Sequence, residues 1–547
     1  MRAAFISLTI IMFSLMPGCA SVPGPVDSAL SVQVQEQIRT LLASPQHDKR
    51  VTVAGSPLVA SDIVTRLYAG RDYQALWALN GRARAHARTL ERELDQIDSH
   101  GLPTTLFHLA ALQEIPTTEQ AGPDLTRRVR LDSATARQPR AIAERDLLLT
   151  DAFITYAALM TGVPVGELAP AHRWQRHKKD PDQLISLLEE GLKKRRFERF
   201  LRQLQPSDPE YRQLQDALVT YQEIGANGAW PQIPAGPRLE RSLVADRVAL
   251  LRTRLFIAGD LADDNGSTLF DKELEEAVQS FQRRHGLVDD GVVSKKTLAA
   301  LNISATERAQ QIALNLERRR WSEQLPKKYI RVNIPDYRLE AFQDDERVLT
   351  MNVVVGRSHE DWRTPQISSD ITHMILNPTW NVPNSIFKKE LLKKIQEDPE
   401  YLEKENMQVV RTYGARETID PLTIDWSQID PDAEEVRIIQ RAGAGNALGL
   451  IKFMFPNPYA IYLHDTLSKR LFQRPERAFS HGCVRVARPM EMALYLLEEQ
   501  DNWDQDRLTS ELSRKKSRDV RLQGLWRLLA TRDRLPLSRI VVRQESA

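Results

Sequence analysis

The residues with the most chemical potential lie together in Ser480-His481-Gly482-Cys483-Val484-Arg485-Val486. The chain has two cysteines, Cys19 and Cys483. Cys19 falls in a segment with the marks of a processed leader, so Cys483 has no partner for a structural disulfide. A thiol left unpaired in an oxidising compartment is open to oxidation and mixed disulfides. Keeping one beside a histidine points to use of its nucleophilicity, and covalent catalysis by Cys483 is the expected chemistry.

A free thiol ionises near pH ~8.5, so at neutral pH it needs a base to take or share its proton, and the same base can later protonate a leaving amine. Two histidines compete for that role. His464 lies at the exit of an expected strand, Ala460–Leu463, with enough chain before Cys483 to loop back, and is the preferred base. His481, two residues before the thiol, is expected instead to brace the loop with Ser480. Gly482 allows close approach of the backbone to a substrate, and its N–H and that of Cys483 are candidate oxyanion donors. Tyr462 shares a strand face with His464 and reads as a phenol donor or as a core aromatic. Arg485 suits a substrate carboxylate or a buried ion pair that orders the loop. A zinc site built from His464, His481 and Cys483 lacks a spaced ligand helix or a second cysteine, so neither metal nor cofactor is expected.

The elements that must position these residues change character along the chain. The region from about Ser31 to Val244 is mainly helical, with a buried helix expected over Leu147–Leu159 and proline breaks at Pro103 and Pro164. Nothing in it concentrates chemistry, and a helical scaffold is the expected role. Between Leu250 and Ile303, Leu274, Ala277, Val278 and Phe281 share a helical face, Gly286 suits a C-terminal cap, and Ser294 can cap a second helix. From Tyr329 the period becomes two: Tyr329–Ile334, Arg338–Phe342 and Val348–Val355 read as strands, the last ended by Gly356. The expected class is a multidomain α+β protein.

Composition sets limits. A chain of 547 residues needs several cores, and 42% hydrophobic residues suffice to fill them. Lys plus Arg total 75 against 73 Asp plus Glu, so no global basic excess points to nucleic acid. Lys193-Lys194-Arg195-Arg196 and Arg318-Arg319-Arg320 are expected to be solvated helix faces. Arg2, the apolar run Ala3–Met16 and Pro17-Gly18-Cys19-Ala20-Ser21 have the sections of a secretory signal, which places the mature chain outside the cytoplasm. Leu15–Cys19 also resembles a lipobox, which implies membrane attachment through lipidated Cys19, with Ala20 favouring the outer membrane.

Two resemblances follow from ordered residue strings. Ala277-Val278, Phe281-Gln282, His285-Gly286-Leu287, Asp290-Gly291, Thr297-Leu298 and Leu301-Asn302 resemble a bacterial peptidoglycan-binding module. Asn446–Gly449, Lys452-Phe453, Phe455–Asn457, Ile461–Thr466 and Ser480–Val486 resemble the catalytic domain of L,D-transpeptidases, the YkuD family. Thr364-Pro365 and Asn377–Pro383 are similar to its large periplasmic YcbB-like branch. The resemblance implies Cys483 as nucleophile, His464 as base, a backbone carbonyl at Asp465 that orients the imidazole, and a mostly β catalytic fold. It implies peptidoglycan stem peptides as donor and acceptor, with Trp380 lining the groove beside a capping insertion. The expected organisation is a leader over 1–19, a helical scaffold over 20–245, and the wall-binding module over 246–304. The catalytic domain follows over 305–510, its insertion at about 384–440, and a separate tail over 511–547.

Overall fold

The computed structural model describes residues 28–43, 50–79, 82–115, 138–168, 180–321, 325–344, 346–359, 362–398, 400–412, 414, 417–430, 436–443 and 445–531. Cys19 with its leader, and residues 532–547, lie outside the described residues. The described chain forms two units, residues 28–98 with 103–205, and residues 99–102 with 206–531.

In the first unit, helix α2 (Pro139–Thr161) runs through the core, its residues Leu147–Met160 all buried. Its apolar character on every side explains why it is enclosed rather than laid on a surface. Two buried carboxylates on α2 hold other segments by their backbone. Asp151 accepts from Val59 N–H at 2.9 Å and Ala60 N–H at 2.7 Å, at the entrance to α1 (Ser61–Gly70). Asp146 accepts from Leu76 and Trp77 N–H at 2.8 and 2.7 Å. These are structural pins: buried carboxylates are tolerated because donors satisfy them.

Residues 206–245 pack with the second unit. Helix α3 (Pro209–Ala226) has its apolar partners in α7 (Ala305–Arg320), through Tyr211, Leu214, Leu218, Ile312 and Leu316, which assigns it to this unit. Between them lie α4 (Asp246–Ile257), α5 (Lys272–Arg284) and α6 (Lys295–Leu301) around one core. Leu274, Ala277, Val278 and Phe281 of α5 are buried, and Ser294 accepts from Thr297 N–H to cap α6. The expectation for Arg318–Arg320 is corrected. Arg320 is buried and donates to His100 O at 2.7 Å, while Arg319 pairs with Asp208 and Glu210. Charges at the end of α7 are thus spent on fold contacts.

The large sheet comprises β1 (Lys328–Asn333), β2 (Arg338–Gln343), β3 (Glu346–Gly356), β4 (Ile367–Leu376), β8 (Ile451–Met454), β9 (Leu463–His464), β10 (Ala478–Ser480), β11 (Val484–Val486) and β12 (Arg518–Thr531). Their order is β10-β3-β11-β9-β8-β4-β12-β1-β2, and β2 also pairs with β3, so the sheet closes on itself. The expected tail over 511–547 is therefore corrected. Arg518–Thr531 pairs antiparallel with β4 and parallel with β1, and the closed sheet requires it. The expected strand Ala460–Leu463 is also corrected. Asn457 Oδ1 accepts from Tyr459 and Ile461 N–H at 3.1 and 3.0 Å, which holds that stretch in a turn and delays β9 to Leu463.

Between β4 and β8 the chain leaves the sheet. Strands β5 (Trp380–Asn381), β6 (Met407–Val410) and β7 (Arg437–Gln440) form a small sheet in the order β6-β7-β5. With Ile386, Phe387, Leu391, Ile395 and Trp426 they enclose a separate apolar core. Residues Phe387–Leu391 form a turn of π-helix that leads into α8 (Leu392–Glu397).

Candidate active site

The parallel pairing of β9 with β11 sets His464 opposite Arg485 and Leu463 opposite Val484. Successive side chains along a strand alternate faces, so residues two apart share one. Tyr462, His464, Cys483 and Arg485 accordingly project from one side of the sheet, on adjacent chain segments. This register brings together the thiol and the imidazole that lie 19 residues apart in sequence. Cys483 keeps part of its surface open, while His464 is buried at 4% exposure.

Two hydrogen-bonding groups of Tyr462, the backbone N–H and the phenol, face the Cys483 sulfur. The Tyr462 and His464 rings meet edge to face with centroids 5.6 Å apart. Trp380, from the start of the insertion, hydrogen-bonds the Tyr462 phenol oxygen. Burial and the neighbouring thiol push the phenol pKa well up, so it remains a proton donor.

Burial raises the Cys483 thiol above its ordinary range, against the lowering effects of Tyr462, Lys452 and Arg485. His464 is pulled down to about 3, by burial first and by the Arg485 charge second, with Lys452 adding to the effect. Carbonyls of Asp465 and Leu448 face the ring and oppose that shift, although Nδ1 reaches no full hydrogen bond among the described residues. Burial works against charge on both the thiol and the imidazole, so the desolvated site does not favour a resting ion pair.

The loop that carries Cys483 is fixed from below. Thr364 Oγ1 accepts from Gly356 N–H and donates to Gly482 O, both at 2.8 Å, and Thr364 is buried. A Cβ on Gly356 would stand 2.0 Å from Trp362 O, so only glycine lets these segments meet. Ser480 Oγ donates to Cys483 O and accepts from Gly482 N–H at 3.2 Å. The Gly482 N–H is thereby spent, which corrects its expected role as an oxyanion donor; the Cys483 N–H is the remaining candidate of the two. Gly482 itself has φ +114°, open to glycine alone at low cost.

His481 faces the insertion. Its Nε2 lies 2.7 Å from Glu390 Oε1 in the π-helical turn, and its ring meets Trp362 edge to face at 4.8 Å. The Asp465 carboxylate accepts from Leu450 N–H at 2.9 Å and Thr466 N–H at 2.7 Å and pairs with Lys469, which stitches the turn before β8 to the end of β9. Arg485 makes no ion pair among the described residues, and its Nε is buried without a partner. Thr364, Glu390 and Lys452 were not singled out by chemistry in the sequence; the motif strings containing Thr364-Pro365 and Lys452-Phe453 were the only signal. No group of three or more potential metal ligands occurs among the described residues.

Comparison with known proteins agrees with this architecture. Residues 327–501 match a family model described as "L,D-transpeptidase catalytic domain" (YkuD), residues 62–218 a "Scaffold domain", and residues 244–301 a "Putative peptidoglycan binding domain". A Haemophilus influenzae protein named "Putative L,D-transpeptidase" is 38% identical over 208 residues, which is 38% of this chain and 41% of the relative. The chain thus spans less than half the length of that relative. Crystal structures of L,D-transpeptidases from Xylanimonas cellulosilytica and Stackebrandtia nassauensis align over 55% of this chain, at 17% and 15% identity. They are covered to 99% and 96%, with TM-scores of 0.18 and 0.23, too low to carry an argument.

Proposed function

We propose that this chain, which carries a YkuD-type L,D-transpeptidase catalytic domain and a peptidoglycan-binding module, forms direct cross-links between diaminopimelate residues of neighbouring wall stems. The observation that carries the reading is the shared sheet face of Tyr462, His464 and a partly open Cys483. As Sγ attacks the carbonyl at the L-centre of diaminopimelate in a tetrapeptide donor, His464 accepts the thiol proton. The C–N bond then breaks, His464 returns that proton to the departing D-alanine amine, and a thioester remains. The side-chain amine of a second stem attacks the thioester, forms the new amide and frees the thiol. The Cys483 N–H and the Tyr462 phenol stand as oxyanion donors.

Burial of His464 favours the uncharged ring, the form that can accept a proton from the thiol. The insertion, anchored to the site by Trp380 and Glu390, supports transfer over hydrolysis by excluding water. The same reading places the working enzyme outside the cytoplasm, with Cys19 as a lipid anchor. No described helix is long and apolar enough to cross a membrane.

The test is incubation of purified protein with disaccharide-free tetrapeptide stems, read by mass spectrometry. Dimers that lack one D-alanine are the expected product, absent from Cys483→Ala; tripeptides alone would refute transfer in favour of hydrolysis. A carbapenem should add its mass to the wild type and not to Cys483→Ala.

A further inference from the structure

Three adjacent strands carry a row of side chains in one register. Lys452 of β8 opposes His464 of β9, and His464 opposes Arg485 of β11. Opposed residues project from the same face, so the imidazole has a cation on either side and the thiol lies beside the row. The Lys452 ammonium sits 3.8 Å from the centroid of the Tyr462 ring, whose phenol faces Cys483.

Neither cation is paired with a carboxylate among the described residues; the opposite charge that each senses first is that of the Cys483 sulfur. Among the described residues Lys452 makes no ion pair, and neither does Arg485. Glu390, the acid that Arg485 senses, is already engaged with His481 and lies 3.9 Å from Arg357. Burial lowers the pKa of both cations, which measures how poorly water compensates them. Desolvated charge without a partner is costly and is tolerated where a ligand supplies the opposite charge.

We propose that Lys452 and Arg485 form a carboxylate subsite for the acyl donor, which spans the imidazole and sets the donor against Cys483. The anion subsite stands on geometry; its assignment to a peptide donor rests on the function proposed above. Lys452 is the position that no motif reading assigns.

The test uses the full chain and needs no turnover. Cys483 is alkylated with iodoacetate and, separately, with iodoacetamide, and the two rates are read on the peptide that contains Cys483, so that Cys19 does not contribute. Both reagents consume the same thiolate, so their ratio removes any change in thiol ionisation and reports local attraction of a carboxylate. We expect the native ratio to exceed that of the urea-unfolded chain by about tenfold, Lys452→Met to lower it about threefold or more, and Lys452→Arg to retain it. A native ratio no higher than the unfolded one overturns the subsite without any variant. An unchanged ratio in Lys452→Met removes Lys452 from it.

With tetrapeptide donor, Lys452→Met should raise KM about tenfold with a smaller change in kcat. An anion preference with unchanged KM would overturn the assignment to the donor. Absence of acyl transfer by the wild type on any stem would sink the proposed function and leave the alkylation result standing.

Discussion

If the resting pair is neutral, the pH profile of Cys483 alkylation distinguishes it from a thiolate–imidazolium pair. Burial raises the thiol above its ordinary range, so most of it is un-ionised at pH 7. The rate with iodoacetamide should then rise about tenfold per pH unit between pH 6 and pH 8.5, as the thiolate fraction does. His464, held at about 3, changes charge far below this window and leaves no inflection in it. His464→Gln should accordingly leave alkylation at pH 9 within about threefold, yet lower acylation by a tetrapeptide donor by about 10²–10⁴-fold, the range for loss of a general base. The assay is stopped-time alkylation with mass readout on the Cys483 peptide, run beside donor acylation. A rate plateau between pH 5 and 7 that His464→Gln abolishes would refute the neutral pair and establish a preformed ion pair.

Four further outcomes follow from named contacts. Thr364→Val removes the hydroxyl that serves Gly356 N–H and Gly482 O, two groups each costing about 1–3 kcal/mol when left unsatisfied in the interior. It should lower the melting temperature and the acylation rate together, while Thr364→Ser recovers most of both. Glu210→Ala removes one of the two carboxylates on buried Arg331, bound at 2.6 and 2.8 Å, while Glu340 stays at 2.7 Å, and should cost about 1–3 kcal/mol in urea unfolding. Glu390→Ala frees His481 from the insertion and should raise the ratio of hydrolysed tripeptide to cross-linked dimer, measured by mass spectrometry. His464 stays neutral in the fold down to about 3 while an unfolded imidazole protonates near 6.5, so stability is present above pH 6.5 and lost as pH falls. Two pH units below 6.5 this is on the order of 3 kcal/mol, and His464→Gln should lose correspondingly less stability when urea unfolding at pH 7.5 and 4.5 is compared.

The legible and illegible parts of the chain divide along a physical line. Cys483, His464 and the helical face of α5 could be read because each is expressed by residue type at short spacing, as an unpaired thiol, a nearby imidazole and a 3.6-residue period. Strand β12 could not, although it alternates, because its register slips between Arg521 and Trp526 around Gly524 and breaks the period that reveals a strand. Arg319 and Arg320 looked solvated because a local charge run carries no information about Glu210 or His100, more than a hundred residues away. Thr364 and Lys452 stood in recognisable strings without a legible role. Their roles arise from which backbone amide and which strand lie opposite, and register is set by the whole sheet. The fold class was thus readable, and the two residues expected to react were legible as candidates, while the charge environment around them was a tertiary property.

That environment imposes opposite demands on His464. The ring must be neutral before attack and must tolerate a positive charge once it holds the thiol proton. Lys452 and Arg485 on either side favour the first state and oppose the second. On the proposed subsite, a carboxylate seated between the two cations would cancel much of their field at the ring and restore basicity to the imidazole as the scissile carbonyl arrives. Occupancy of the subsite and activation of the thiol would then be one event: an empty site would leave the thiol held protonated by burial, and a filled one would turn the same residues into a nucleophile and its base.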